Sequence, residues 1–402
     1  MRRDRGVLTP IPSTRGLVYA RGVRVIGLMS GTSADAVDAA LVEWPEGSAP
    51  RPFRLLAYRE APLPADLQDR IHRLAAGRVP AGDALRELAS LDVTLGERFA
   101  ATAATVAADA GMPLAAVDAI ASHGQTVAHH PELHGSLQIG DPSVIAERTA
   151  CTTVADFRAR DLAAGGEGAP LAPFFHFAVF ADAAESRAVL NLGGIANLTW
   201  IPRGAGPEDV VAFDVGPANA LVDGVVRILT QDRERMDRDG VRAARGRADA
   251  RLLERLLDDD YLRRAPPKST GRERYGAAEA EALAAEWRES GRGGDDLVAT
   301  LVAFTAESVA RACRDWLGGA RPDRLLVGGG GARNPALMRA LGTGLPGVGV
   351  EPFEALGVPA AAAEAMAFAL MGRNALLGIP NHLPGCTGAS RTAVLGEVVP
   401  GR

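Results

Sequence analysis

The sequence predicts an α/β protein built from two domains, and three observations carry that reading. The chain has 402 residues with 47% hydrophobic content, enough for two sizeable cores. Strand-like and helix-like apolar patterns alternate along it. A strand–turn–strand unit occurs twice, at residues 23–44 and again at 188–201, which suggests a duplicated domain.

Taken in order, residues 24–30 form a β-branched and apolar run that reads as a buried strand. Residues 37–44, VDAALVEW, read as its hairpin partner. Between them, Ser30, Gly31, Thr32 and Ser33 offer backbone N–H groups and hydroxyls that can converge on an anion, or simply close a hairpin. Asp35 and Asp38 follow closely enough to hold a metal ion or a water beside a phosphate. Residues 53–59 read as a third strand, and residues 66–110 as Ala/Leu-rich helices with polar faces. Residues 117–121 are a short strand that runs into Ser122, His123, Gly124, Gln125 and Thr126. Polar residues just past a strand's carboxyl end lie where open α/β sheets bind ligands, although a lone His there also serves as a structural hydrogen-bonding group.

In SLQIGDPSVIAERTA, Asp141 is a candidate N-cap and Pro142 a first-turn residue. Asp156, Arg158, Arg160 and Asp161 then crowd ahead of Gly165-Gly166-Glu167-Gly168, a loop too polar for a core. Arginine forks suit carboxylate or phosphate recognition. In the second hairpin, Asn191 and Asn197 flank Gly193-Gly194. Residues 210–214 form a strand ending in Asp214, and Gly216-Pro217-Ala218-Asn219 opens a helix, so Asp214 reads as a catalytic base or as a helix cap. Residues 324–331, RLLVGGGG, are a strand entering four glycines. Bare backbone at Gly328, Gly329 and Gly330 would let the base or ribose of a nucleotide lie close, and Asn334 with Pro335 starts the next helix. No Walker motif and no Rossmann glycine motif in its βαβ context accompanies it.

Composition removes several classes. The net charge of -5 and isoelectric point near 5.9 give no electrostatic reason to expect nucleic acid or an anionic membrane as partner. Cys151, Cys313 and Cys386 are scattered, which argues against a zinc ribbon, offers no disulfide framework and fits a reducing cytoplasm. Residues 1–22 are basic and rich in Pro, Ser and Gly, without the apolar core of a secretory signal, and are expected to be a mobile extension or a mis-assigned start. No apolar run reaches the roughly 18 residues of a membrane span. Lys268 is the only lysine. Genomic base composition explains the arginine bias, yet a lysine kept within PPKSTGRERYG also fits a need for a compact ammonium.

Eight ordered motifs carry a family resemblance: VIGLMSGTSADAVDAALV, ASHGQTVAHHP, SLQIGDPSVIAE, VADFRARDLAAGGEGAPLAPFFH, AVLNLGGIANLT, AFDVGPANALVD, PKSTGRE and LLVGGGGARNPALM. Together the chain resembles the 1,6-anhydro-N-acetylmuramic acid kinases from about Val23 to its end. The resemblance implies the actin, sugar kinase and Hsp70 superfamily: two RNase H-like domains with ATP in the cleft between them. It implies conversion of the anhydro sugar, ATP and water into N-acetylmuramic acid 6-phosphate and ADP, with Mg²⁺, in a homodimer. One domain is expected over residues 23–155 with 385–402, the other over 156–384.

Carried over by position, Gly31, Thr32, Ser33, Ala34, Asp35, Ala36, Val37 and Asp38 match the ATP-phosphate segment. Gly193, Gly194, Gly328, Gly329, Gly330 and Asn334 complete the nucleotide side. Asp214 matches the catalytic base, and His123, Gln125, Arg158, Asp161 and Glu364 match positions lining the sugar side. Metal ligands remain unassigned. The chain departs from the family at Ala34 and Ala36, where Leu and Gly are usual, at Ala218 in place of the second Gly of GPGN, and at Glu167 in place of Gln in GGQG. Ala218 is expected to tighten the turn beside Asp214 and Glu167 adds negative charge near the sugar, so affinity or sugar preference is where this chain is expected to differ. A kinase for a sugar with a free hydroxyl and a non-catalytic ATP-binding sensor are the alternatives. The crowded DFRARD and SHGQT clusters speak against the sensor.

Overall fold

The computed structural model describes residues 22–402; apart from Gly22, the expected N-terminal extension lies outside the described residues. The first half opens with three antiparallel strands, β1 (Val23–Ser30), β2 (Ala36–Trp44) and β3 (Arg54–Pro62). Two helices follow, α1 (Ala65–Ala75) and α2 (Ala81–Asp109), then β4 (Ala119–His130), β5 (Gly135–Ile139), α3 (Pro142–Thr149) and β6 (Thr153–Ala155). Strand β4 runs parallel to β1, and β6 runs parallel to β4.

After α4 (Ala159–Ala163) and α5 (Ala172–Phe180), the plan recurs. Strands β7 (Arg187–Leu192), β8 (Ile195–Ile201) and β9 (Val211–Pro217) are antiparallel neighbours. Helices α6 (Asn219–Thr230), α7 (Val241–Arg245), α8 (Ala250–Leu257), α9 (Ala277–Glu289) and α10 (Gly294–Asp315) lead to β10 (Arg324–Gly328), α11 (Pro335–Gly344) and β11 (Gly349–Pro352). Strand β10 is parallel to β7, and β11 to β10. The strand orders β3-β2-β1-β4-β6 and β9-β8-β7-β10-β11 are therefore the same topology written twice. The chain closes with α12 (Ala363–Leu377), α13 (Pro384–Thr387) and β12 (Glu397–Val399), which pairs antiparallel with β6.

Strand alternation assigns the faces. Ile26, Leu28, Val37, Ala39 and Leu41 face α2, where Leu91, Leu95, Phe99 and Val106 bury them. Val25, Ala40, Val42 and Ala121 face the other way onto α12, through Ala365, Met366 and Ala369. That same cluster takes in Val189, Ile201 and Leu326 from the second sheet with Phe175 and Phe180 of α5, so α5 and α12 lie between the two sheets. Ala188, Leu190, Leu192 and Leu198 turn outward to a third core with α6 and α10.

Two elements differ from the sequence reading. Helix α12 falls inside the span expected for the second domain, yet it packs on β1, β2 and β4. The return to the first sheet is thus made by residue 363 and not at 385. Small residues permit it: a Cβ at Gly27 would overlap the backbone of Ala365, and one at Gly372 would overlap Ala121. Strand β4 does not stop at residue 121 but continues to His130. Gly124 kinks it at φ +74°, and β5 pairs with the overhang, so SHGQT sits within a strand.

Candidate active site

One cross-strand row of the second sheet leads to the wall of a cleft, which its members Asn191, Asn197 and Asp214 line while Gly328 lies beneath the Phe353 ring. Gly328 of β10 pairs with Asn191 of β7, Asn191 with Asn197 of β8, and Asn197 with Asp214 of β9. Leu190 and Leu198 alternate with this row toward the outer core, so the row faces the inner side of the sheet. Asp214 lies mid-strand, and the helix that follows begins at Asn219, which removes helix capping as its role. Its Oδ1 accepts from Asn197 Nδ2, and its Oδ2 accepts from the Ser269 hydroxyl at 3.1 Å and the Thr270 N–H at 2.9 Å. Burial raises its pKa above the ordinary carboxylate value, against the lowering effect of those donors, and Glu273 adds to the rise.

The start of α12 stands on the other side. Glu364, in its first turn, lines the same cavity of about 810 Å³ as Asp214, Asn191, Gly193, Asn197 and Gly329. Glu364 is open to the cavity yet ringed by protein. Desolvation and the nearby Asp38 charge push its carboxyl up, with Arg158 partly offsetting them. Asp38 accepts from the Tyr58 hydroxyl at 2.6 Å, and its own pKa is raised by burial, with that hydrogen bond working against the rise. His123 is buried against the Phe368 ring of α12, 4.7 Å between centroids. Its Nδ1 lies 2.9 Å from the Gly124 carbonyl, and its Nε2 takes two contacts from Arg158, at 3.1 and 2.8 Å. Arginine has only donors, so Nδ1 carries the proton. Burial and Arg158 hold the ring neutral, with a pKa near 3.

Of the predicted site residues, Gly193, Asp214, Gly329 and Glu364 line the cavity, and the others stand outside its lining. Gly31, Thr32, Ser33 and Asp35 form the β1–β2 turn, where Thr32, Ser33 and Asp35 are exposed and Ser33 donates to Asp35 at 2.7 Å. Ala34 and Val37 pack their side chains into the α2 core, and Ala36 is buried at the start of β2. The side chains of these three do not project with the turn. Gln125 is buried; it accepts from Ser30 Oγ at 2.7 Å and donates to the Gly31 carbonyl at 3.1 Å, so it braces the turn. Gly194 stands at the β7–β8 turn beside Arg272. Gly330 begins a short 3₁₀ turn after β10, and Asn334 caps α11 by accepting from the Ala336 and Leu337 N–H groups.

Asp161 is the clearest departure from expectation. It is fully buried and accepts from His382 Nδ1 at 2.6 Å, Thr387 Oγ1 at 2.7 Å and the Gly168 N–H at 2.8 Å. Burial opposes its charge, but these donors outweigh it and lower the pKa. Asp161 holds the 165–168 loop and does not line the cavity. Arg158 supports the same loop by donating to the Gly168 carbonyl at 2.6 Å. Sequence reasoning gave no role to Tyr58, Ser269 or Thr270. The last two lie in PKSTGRE, where two adjacent hydroxyl residues after the sole lysine were the available signal.

A sheet order written twice, with a cavity between the halves lined by carboxylates and glycine-rich turns, defines a two-domain actin-like ATPase fold of the sugar kinase class. Residues 23–401 match the family described as Anhydro-N-acetylmuramic acid kinase, and the chain belongs to that family. It is 44% identical over 381 residues to the anhydro-N-acetylmuramic acid kinase of Gloeobacter violaceus, spanning 93% of this chain and 98% of that one. The corresponding protein of Streptomyces coelicolor is 45% identical over 388 residues, 94% of each chain. Among solved structures, component A of Acidaminococcus fermentans (R)-2-hydroxyglutaryl-CoA dehydratase aligns over 86% of this chain and 96% of that one, at 12% identity and a TM-score of 0.44.

Proposed function

We propose that this protein is an ATP-dependent kinase that hydrolytically opens 1,6-anhydro-N-acetylmuramic acid and phosphorylates O6, giving N-acetylmuramic acid 6-phosphate and ADP in cell-wall recycling in the cytoplasm. The carrying observation is the shared wall: an aspartate of raised pKa in one row with glycine and asparagine beside the nucleotide-side turns, facing Glu364 across one cavity.

The chemistry follows from the substrate. O6 of an anhydro sugar is a bridging ether oxygen with no proton, so a base has nothing to remove from the attacking atom. Asp214 instead takes a proton from water as that water attacks C1. The C1–O6 bond breaks, its electron pair stays on O6, and O6 takes the γ-phosphoryl group while ADP leaves. Asn197, Ser269 and Thr270 fix the carboxylate in orientation, and general-base assistance of this kind is most effective when the pKa approaches the working pH. The 31–33 turn offers N–H and hydroxyl groups to the phosphates. Ser30 and Gln125 hold that turn in place. Glu364 and Arg158 shape the sugar side, with His123 keeping the Arg158 fork in register.

Mg²⁺ enters with ATP. Asp38 and Glu364 are hard oxygen donors that fit it, because Mg²⁺ is usually held by one or two carboxylates with phosphate and water. No group of three His, Cys, Asp or Glu side chains able to hold a metal on its own occurs among the described residues. When bound, the ion neutralises charge on the transferring phosphoryl group. We read the assembly as a homodimer on the family resemblance, which sedimentation would check.

Running the reaction in ¹⁸O-water tests the proposal. Label is expected on the C1 hydroxyl, with none in the phosphate ester. ADP release is expected with the anhydro sugar and not with reducing sugars or without sugar. Label in phosphate would mark simple ATP hydrolysis, and turnover with a reducing sugar would mark a kinase for another acceptor.

A further inference from the structure

Lys268 lines the cavity, and the reaction as described gives it no task. Its ammonium sits among three aromatic rings, 4.8 Å from the centroid of Tyr261 and 5.8 Å from those of Phe213 and Trp316, within reach of cation–π attraction. It also donates to the backbone carbonyls of Tyr261 at 3.3 Å and Leu262 at 3.4 Å.

The two stretches it ties together, 261–262 and 267–270, are the ones that grip Asp214. The Tyr261 hydroxyl donates to the Asp214 carbonyl at 2.8 Å, and the Lys268 carbonyl accepts from the Asp214 N–H at 3.1 Å. Ser269 and Thr270 hold Oδ2. The base is therefore fixed at its backbone from both sides, and at one carboxylate oxygen, by residues that a single ammonium joins. A compact ammonium with three donors can sit among three rings and still reach two backbone carbonyls, which fits a lysine in a chain whose other basic side chains are arginine or histidine.

We propose that Lys268 is a positioning residue for Asp214, pinning 267–270 to 261–262 so that the carboxylate keeps its aim at the attacking water. The proposal rests on Asp214 being the base. Burial most strongly opposes the ammonium's charge, and Arg264 adds to that effect, while Asp259, Asp214 and Asp315 favour the charge; the net effect brings its pKa down to about 8. With the cation lost at lower pH than for an ordinary lysine, turnover is expected to fall on the alkaline side as Lys268 is deprotonated.

Steady-state ADP release by the full-length enzyme across pH is compared for wild type, Lys268→Met, Lys268→Arg, Tyr261→Phe and Asp214→Asn. Met keeps length and packing without charge: a misplaced base is expected to cost K268M about 10- to 100-fold in kcat, with KM for ATP within about threefold. K268M also loses the alkaline limb, and K268R recovers part of kcat with the limb moved upward. Wild-type kcat with the wild-type limb in K268M overturns the proposal. So does a KM for ATP that rises in step with the loss, which marks a direct nucleotide contact. If circular dichroism shows the Lys268 variants unfolded, Y261F decides: it removes the hydroxyl's hold on Asp214 but keeps the ring, so kcat falls while the limb stays, and an unchanged kcat overturns the proposal. A D214N loss below about tenfold in kcat sinks the base itself, whereas a D214N loss of about 10² or more beside unperturbed Lys268 variants sinks only the positioning role.

Discussion

Asp214 titrates above the ordinary aspartate range because burial outweighs the donors around it. In the proposed role as base it must be unprotonated to act, so kcat/KM is expected to fall on acidification with a midpoint above the usual Asp value, and that limb should vanish in Asp214→Asn. The amide keeps the shape and removes the base, so D214N should fold, bind ATP and lose about 10² to 10⁴ in kcat, roughly 3 to 5 kcal/mol of barrier. A loss below about tenfold in stopped assays would leave Asp214 a positioning group. Asp161 has the opposite shift. Its folded pKa is lowered, so the stability it contributes is present above its unfolded pKa of about 3.9 and lost as pH falls through the folded value. Asp161→Asn should therefore melt earlier at pH 7, by about 1 to 3 kcal/mol for the impaired buried network, and approach wild type as the buffer is made acid.

At the level of elements, α12 comes closest to β1 where Gly27 meets the backbone of Ala365 and Ala369. Gly27→Ala would place a methyl group in the backbone of Ala365 and is expected to cost about 1 to 3 kcal/mol or more in urea unfolding. Gly82→Ala, in the open first turn of α2 with no neighbour in reach, serves as the control and should not destabilise. Thr32→Val at the exposed tip of the first turn should raise KM for ATP or lower kcat; if both stay unchanged, the turn is only a hairpin. The two hairpin turns were legible in the sequence because Ser, Gly, Thr and Asn between apolar runs form a local signal. The row Gly328–Asn191–Asn197–Asp214 was not, since it depends on the register of three consecutive strands and on β10, which joins them from far along the chain. Strand β4 was read short because its polar half mimics a loop, and only the bulge at Gly124 and pairing with β5 reveal it as strand. Asp161 was misjudged for a related reason: its partners His382 and Thr387 lie more than two hundred residues away.

Across the whole molecule, the two sheets share a core through α5 and α12 while a cavity opens between them. Closing such a cleft excludes water from the phosphoryl group, so small-angle scattering should show a smaller radius of gyration with the anhydro sugar and a non-hydrolysable ATP analogue together than with the analogue alone. An unchanged radius would mean a preformed site. The fold class was readable from alternation and the doubled hairpin, but the point where the chain recrosses to the first sheet was not, because a helix buried on nearly every side along its middle carries no apolar stripe to mark which sheet it will join. That recrossing places late residues under early ones. Thr387 and His382 hold Asp161, the Glu167 N–H donates to the Thr387 carbonyl at 2.8 Å, the Ser390 N–H donates to the Ala164 carbonyl at 2.9 Å, and β12 pairs with β6. The loop beside the cavity is thus held by residues translated after the strands and helices it borders, so its final shape is set only once the segment from His382 to Ser390 has been made.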